Sequence, residues 1–434
     1  MQIGTEVKKV LVITYYWPPS GGSGVQRWVK FAKYLNGENW QPVIYTPSNP
    51  DYNILDDSLE KEIPASVQII KQPIREIYGL YRKLTGKKGK AAQVNPITAK
   101  NNTWKDDLCL AIRGNLFIPD PRIAWLRPSV KFLTKYLKEH PVDMIVSTGP
   151  PHSMHLIAQK VARKTGIPWI ADFRDPWTKI FYFKHLHLTA FSEKKYKKLE
   201  QSVLDDANAI VAVSPLVQED FQAMTSTPVH LITNGYDESD FQEDVTPDGF
   251  FNITHSGLLV SDGNPDVLWK VLAEKVQTNP EMAARLKIRL VGKTDQDVLD
   301  TIRQAGLAPY LVDLGYQSHS TAIRELKNAS ILILPIRKEP ETKAILPGKL
   351  FEYLAARKPI LGIADPEGAM SRVLTDSGAG ISCDWTDEEE ISSFIDKVWE
   401  DFKAGRSQEY ADIARFSRKE LTAQMAGLMN SLTK

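Results

Sequence analysis

Lys349 and Glu352 lie three residues apart in Leu346-Pro-Gly-Lys-Leu-Phe-Glu-Tyr-Leu-Ala-Ala-Arg-Lys-Pro-Ile-Leu361. The pattern predicts a loop, a short helix opening at Gly348 and Lys349, and a strand from Pro359 to Ile363. A helix N-terminus presents unpaired backbone N–H groups, so a lysine there suits phosphate. Glu352 falls on the same face one turn later, where a carboxylate can accept from both hydroxyls of a ribose. The pair suits a nucleotide held at the carboxyl ends of strands in an α/β sheet.

Five further constellations follow apolar runs of strand length. Trp17-Pro-Pro-Ser-Gly-Gly-Ser-Gly-Val-Gln-Arg27 opens onto a helix over Val25–Leu35, and Gly21, Gly22 and Gly24 would let backbone N–H groups approach a phosphate or sugar. Its spacing fits neither a dinucleotide fingerprint nor a P-loop, and a plain tight turn is the alternative. Ser147-Thr-Gly-Pro-Pro-His-Ser-Met-His155 precedes a helix over His152–Thr165. A helix N-terminus disfavours imidazolium, so a neutral His152 can donate to a sugar hydroxyl or else simply cap the helix. His155, a turn further in, reads as structural.

Ala171-Asp-Phe-Arg-Asp-Pro-Trp177 ends the next run. There Asp172 or Asp175 could orient or deprotonate an acceptor hydroxyl, with Arg174 fixing the other carboxylate and Trp177 or Tyr182 stacking on a sugar. A salt-bridged loop anchor is the competing reading. Ile253-Thr-His-Ser-Gly-Leu-Leu-Val-Ser-Asp-Gly-Asn-Pro265 brings His255 and Gly257 to a strand end, and Gly315-Tyr316 follows another, where peptide groups could pair with a base. Asp295-Gln-Asp297 has the form of a metal-binding pair, but it sits where a helix cap is expected, so no metal or cofactor is assigned.

The elements that must position these groups alternate between apolar strands and helical patterns, the signature of βα units and parallel sheets. Seven runs fall before residue 235 and six after 250. They predict two doubly wound domains, 1–240 and 241–416, with a break in the polar stretch Thr233–Gly249. An amphipathic helix is expected over Tyr410–Leu432, with Leu421, Met425, Leu428 and Leu432 on one face. Arg75–Pro128 lapses into a long basic and aromatic excursion, the kind of connection that is usually functional or mobile.

At 434 residues two domains are the natural expectation. No apolar run approaches a membrane span, the start does not read as a signal peptide, and Cys109 and Cys383 make no disulfide framework, so a cytoplasmic setting is expected. The net charge of +1 hides an asymmetry: residues 1–235 carry 31 Lys and Arg against 21 Asp and Glu, while residues 236–434 carry 23 against 32. The basic half holds Arg82–Lys90, Lys131–Lys138 and Glu193–Lys198, which could dock it on an anionic membrane or a polyanionic acceptor. A solvated face is the plainer reading of each. The loop Phe117–Trp125 is the expected aromatic contact with such a membrane.

Taken together, these residues resemble glycosyltransferase family 4, retaining enzymes of the GT-B fold, in its bacterial polysaccharide-assembly type. Pro347-Gly-Lys-Leu-Phe-Glu-Tyr-Leu-Ala is similar to that family's donor-ribose signature, and Asp172-Phe-Arg-Asp-Pro-Trp177 to its acceptor-side loop. The resemblance implies two Rossmann-like domains facing a crevice, with a helix at 417–434 crossing back to the first. It implies a nucleotide-sugar donor held by Gly21, Gly22, Gly24, His255, Gly257, Gly315, Tyr316, Lys349 and Glu352. His152 would bond the transferred sugar; Asp172, Arg174, Asp175, Trp177 and Tyr182 would handle a glycan or lipid-linked acceptor. The protein would work in the cytoplasm, peripherally on the inner membrane face, without nucleic acid.

The chain departs from the family where a diphosphate-binding Arg and Lys and a second Glu are usual: it has Leu258, Gly263 and Ala344. A buried diphosphate needs cations, so Lys349, Lys343 or Arg337 must supply the charge. Two other readings share the architecture, a nucleotide-sugar epimerase and a non-catalytic scaffold.

Overall fold

All thirteen apolar runs become strands, and every strand pairing is parallel. The structure, a computed structural model, describes residues 7–52, 55–74 and 104–433. The chain divides into two units, Met1–Thr233 with Lys419–Lys434, and Asn234–Arg418.

In the first unit β1 (Lys8–Ile13), β2 (Trp40–Pro47), β3 (Gln68–Gln72), β4 (Met144–Gly149), β5 (Trp169–Phe173), β6 (Ala209–Ala212) and β7 (Val229–Leu231) form one sheet. Its order is β3-β2-β1-β4-β5-β6-β7. Between the strands run α1 (Ser23–Leu35), α2 (Trp104–Leu116), α3 (Leu126–Glu139), α4 (Ser153–Thr165), α5 (Ala190–Asp206) and α6 (Pro215–Gln222). Helices cover both faces of a parallel sheet, so its strands read as unbroken apolar runs. Val10, Leu11, Val12 and Ile13 of β1 are accordingly all fully buried.

In the second unit β8 (Phe251–Ser256), β9 (Leu286–Val291), β10 (Leu311–Gly315), β11 (Ile331–Pro335), β12 (Ile360–Ile363) and β13 (Gly380–Cys383) form a sheet in the order β10-β9-β8-β11-β12-β13. Its helices are α7 (Asp266–Thr278), α8 (Pro280–Arg285), α9 (Gln296–Gln304), α10 (His319–Asn328), α11 (Gly348–Ala356), α12 (Ala369–Ser377) and α13 (Glu388–Lys403). Each sheet reverses its strand order once, at β1/β4 and at β8/β11. Ligands of open α/β sheets sit beyond the strand ends at such a switch point.

The last helix, α14 (Arg418–Leu432), is shorter than its sequence pattern predicts. Before it, the chain spends its backbone groups elsewhere: Ala411 N–H donates to Ser377 and Arg418 N–H to Tyr236, while the Phe416 carbonyl accepts from Tyr236. The apolar spacing at Ile413 and Phe416 reflects burial in that irregular stretch. Leu421, Met425, Ala426 and Met429 of α14 join the core of the first unit beside Trp28, Val29 and Ala32 of α1. Each fully buried Leu or Met there contributes about 1.5–3 kcal/mol. Trp40 Nε1 donates to Asn430 at 3.2 Å and ties the helix to β2.

The aromatic loop expected to meet a membrane turns inward. Ile118 and Trp125 are buried, and Trp125 stacks on Tyr45 at 4.8 Å. The basic segment Arg82–Lys90 lies outside the described residues. Among the described residues no helix is long and apolar enough to cross a membrane.

Candidate functional site

In the second unit three neighbouring strands end in glycines of positive φ: Gly257 (110°), Gly292 (123°) and Gly315 (60°). Gly257 N–H donates to Val291 at 2.6 Å, and Gly292 N–H to Gly315 at 2.7 Å, so the three turns form one backbone ledge. A Cβ at Gly292 would overlap the Gly257 carbonyl. Gly292 was missed by sequence reasoning, although a glycine directly after the strand run ending at Val291 was its signal.

Lys349 lies across this ledge. A Cβ on Gly257 would come within 2.5 Å of its Nζ. Lys349 opens α11, which no side chain caps, and Nζ sits 3.3 Å from the Leu258 carbonyl and 3.4 Å from His255 Nε2. His255 is fully buried with Nδ1 3.1 Å from the Ile333 carbonyl, so the proton belongs on Nδ1 and Nε2 accepts from the ammonium. Burial and the Lys349 charge hold the His255 pKa down at about 3. His255, expected to touch donor, is therefore corrected to a residue that positions Lys349. Burial also lowers Lys349 to about 8, with Glu352 opposing.

Glu352 is half-buried one turn along, and it has no hydrogen-bond or ion-pair partner among the described residues. Burial raises its pKa against the nearby charges of His319, Arg418 and Lys349. Tyr353 pins the helix beneath them: its hydroxyl accepts from Ser256 N–H at 2.8 Å and donates to Ile333. Tyr316, next to Gly315, is 85% exposed. Of the three cations expected to replace the missing Arg and Lys, two are already neutralised. Arg337 pairs with Asp262 at 3.0 Å and Lys343 with Glu367 at 2.7 Å. Lys349 alone of the three has no carboxylate partner among the described residues. Asp295 and Asp297 both accept from Ser261, which fixes the turn before α9.

In the first unit the loops after β1 and β4 flank the switch point. Gly22 precedes α1 with φ 97°, and Gly21 leads into it. A Cβ on Gly24 would sit 2.7 Å from Arg174 Nη1. Arg174 donates to the carbonyls of Gly24, Pro150 and Gly149, clamping the two loops together. Three of its five N–H donors go to backbone and it forms no ion pair among the described residues, which corrects the expected salt bridge to a neighbouring carboxylate.

Asp172 is corrected as well. It is fully buried and accepts from Arg27 at 2.8 Å, Trp28 Nε1 at 2.8 Å and Thr148 Oγ1 at 2.9 Å. Burial alone would raise its pKa, but the Arg27 charge and these donors together hold it below the usual range. Such a carboxylate is no base for an acceptor; it anchors α1 to β4 and β5. Arg27 and Trp28 were missed because their partner lies 145 and 144 positions away. Asp175, by contrast, is exposed. Little of the upward pull of burial on its carboxyl survives that contact with water, and Arg174 opposes it.

His152 is 6% exposed, immediately before α4, and stacks on Trp177 at 4.6 Å with planes 5° apart. Burial, then His155 and Arg174, hold its pKa well below the ordinary imidazole value, so it is neutral. Its Nδ1 and Trp177 Nε1 are both buried without hydrogen-bond partners among the described residues. Trp177 thus stacks on His152 rather than standing open to a sugar, and this corrects the expectation of a free stacking face. Both residues line a cavity of about 170 Å³ with Tyr16, Tyr182, Arg113 and Asp120. Sequence reasoning passed over Asp120, whose carboxylate accepts from Ser153 N–H and Oγ, both at 2.8 Å, and fixes the start of α4 beside His152. His155 is interior, 2.8 Å from Ser147 Oγ.

Two family models match: Glycosyltransferase Family 4 over residues 91–240 and Glycosyl transferases group 1 over residues 251–401. No curated protein matches the chain. Among solved structures, a glycosyltransferase from Rickettsia africae aligns with TM-score 0.62 and 15% identity, covering 99% of this chain and 100% of that one. A sucrose-phosphate synthase from Thermosynechococcus elongatus aligns at 0.60 and 12%, covering 98% and 96%. A putative UDP-N-acetylglucosamine 2-epimerase from Listeria monocytogenes aligns at 0.56 and 10%, covering 98% and 96%. At these identities the likeness concerns the fold, which is the two-domain GT-B arrangement.

Proposed function

Because the chain belongs to glycosyltransferase family 4, we propose that it transfers a sugar from a nucleoside-diphosphate donor to an acceptor hydroxyl with retention at the anomeric carbon. The observation carrying this reading is the pair on α11, one turn apart above a glycine ledge: among the described residues Lys349 has no acidic partner and Glu352 no donor. Lys349 and the uncapped N–H groups of α11 take the diphosphate, and Glu352 accepts from the ribose hydroxyls. Gly315 and Tyr316 flank the base. With Arg337 and Lys343 already paired, Lys349 carries most of the charge that Leu258 and Gly263 do not supply.

In the first unit, neutral His152 donates to a sugar hydroxyl, and the cavity beside it is sized for about one sugar ring. Its aromatic lining suits the apolar face of a glycan or lipid-linked acceptor. The acceptor oxygen forms the new bond on the face from which the diphosphate leaves, and its proton passes to the departing phosphate oxygen. The protein contributes positioning and charge. No metal is assigned a step, and turnover is expected to persist in EDTA.

A thermal-shift panel of UDP, GDP and ADP, followed by calorimetry on Glu352→Ala, tests the donor half. Stabilisation by one nucleotide and its loss in the variant are expected; indifference to all three would favour a scaffold. Conversion of the donor sugar without any acceptor would instead mark an epimerase.

A further inference from the structure

We propose that Glu200, on α5, is a positioning residue: it holds Trp177 flat against His152 and thereby aims that imidazole into the cavity beside it. Residues 174–182 follow β5 and belong to no strand or helix, so side-chain contacts decide how Trp177 sits. Glu200 is 1% exposed and reaches this stretch from α5. Its carboxylate accepts from Thr178 N–H at 3.1 Å and from Thr178 Oγ1, and Trp177 N–H adds a further bond. Trp177 is thus fixed through its backbone on one side and against the His152 ring on the other.

Packing alone does not call for a carboxylate here. No cation forms an ion pair with Glu200 among the described residues, and neighbouring Lys179 pairs with Asp220 instead. Burial raises the Glu200 pKa and the bonds from Thr178 oppose that rise, so an acid at this place is costlier than an apolar side chain. Its use lies in the donors it collects. Two N–H groups and a hydroxyl converge, and a carboxylate accepts from all three through two oxygens.

What those bonds secure lies one contact further on. His152 makes no side-chain hydrogen bond among the described residues. Packing therefore sets its ring rotation: Trp177 covers one face at 4.6 Å, while the Phe173 and His155 rings stand at 6.0 and 5.8 Å. Asp120 fixes the backbone at Ser153, next to His152, and leaves the ring itself to Trp177. Loosening the bonds at Thr178 frees Trp177 to tilt, and the imidazole with it. Both residues line the cavity, so a small tilt there changes which donors a substrate meets. That the aim serves sugar transfer rests on the reading above; the linkage from Glu200 to His152 does not.

Glu200→Gln keeps the size of the side chain and removes its charge. With histidine labelled at Cε1, the His152 resonance is identified by its loss in His152→Ala and followed by NMR from about pH 5 to 8. In the wild type it should not titrate over that range. In Glu200→Gln its midpoint should rise by at least about one pH unit as water reaches the ring. The groups facing His152 are His155 on α4, Arg174 after β5 and, across the cavity, Arg113, Asp120 and Arg122; none is altered. Loss of a negative charge by itself would lower the midpoint, so a rise reports a moved ring. Thr178→Val, which removes only the hydroxyl bond, should move the resonance the same way by less, and decides the matter if Glu200→Gln does not fold. The second arm is hydrolysis of UDP-, GDP- or ADP-glucose, whichever carries the nucleotide that stabilises the protein. Glu200→Gln should slow it about tenfold or more and leave nucleotide affinity within about twofold. In a His152→Ala background the same substitution should slow it no further. An unmoved His152 resonance in the folded variants, or an equal loss of hydrolysis with and without His152, would overturn the inference. Wild-type protein inert toward every donor would instead sink the transfer reading, and the resonance would still decide this one.

Discussion

Asp172, near the carboxyl end of β5, and Glu352, in the helix α11, are both carboxylates, and they differ in what surrounds them. Asp172 is enclosed by Arg27, Trp28 and Thr148, and its pKa is depressed. Glu352 has no donor among the described residues and a raised pKa. The neighbouring cations repeat the contrast. Arg174 lies over Gly24 and spends its planar fork on three carbonyls, whereas Lys349 lies over Gly257 with a histidine nitrogen and one carbonyl. A satisfied buried charge holds loops in place. An unsatisfied one, held with its pKa displaced, is ready for a ligand.

The contrast breaks most visibly at Asp172. Asp172→Ala leaves Arg27 buried without its acid and should cost about 3–5 kcal/mol of stability in chemical denaturation. Glu352→Ala should unfold at wild-type denaturant or slightly above, yet weaken nucleotide binding by about 10- to 100-fold in calorimetry, the worth of hydrogen bonds to a charged group. If Glu352→Ala were the less stable of the two, the assignment of roles would be reversed.

Gly257→Ala probes the ledge. Its φ of 110° and the 2.5 Å approach to Lys349 Nζ predict about 1–3 kcal/mol of strain and a displaced ammonium. Diphosphate affinity should fall while affinity for the bare nucleoside holds. A smaller, more diagnostic effect concerns pH. Lys349 titrates near 8 in the free protein, and a bound diphosphate favours its protonated form, so binding takes up a proton once pH exceeds that value. Affinity should be flat below pH 7 and fall by up to about tenfold per unit above 8. Lys349→Arg, whose charge does not titrate there, should remove the slope; a slope that survives would place the titrating group elsewhere.

Much of the architecture was legible because parallel strands buried on both faces leave an unmistakable apolar run, and all thirteen were placed within a few residues of their observed limits. The α11 signature was legible because its chemistry is local, three residues on one helical face. Legibility ended where partners were distant. Nothing near Asp172 in sequence announces Arg27, and nothing near Lys349 announces His255 beneath it. The inward turn of Phe117–Trp125 was equally hidden, since an aromatic loop reads the same whether it packs on Tyr45 or faces a lipid.

The order of residues alone determined two βα-built sheets, the glycines at their strand ends and the lysine–glutamate pair at one helix start, because each depends on short-range pattern. Only the tertiary structure decided which charges are consumed: Asp172, Arg337 and Lys343 by oppositely charged neighbours, whereas Lys349 and Glu352 have no ion-pair partner among the described residues. The physical reason is that neutralising a charge takes a partner within about 4 Å. Folding, not adjacency along the chain, decides which groups come that close.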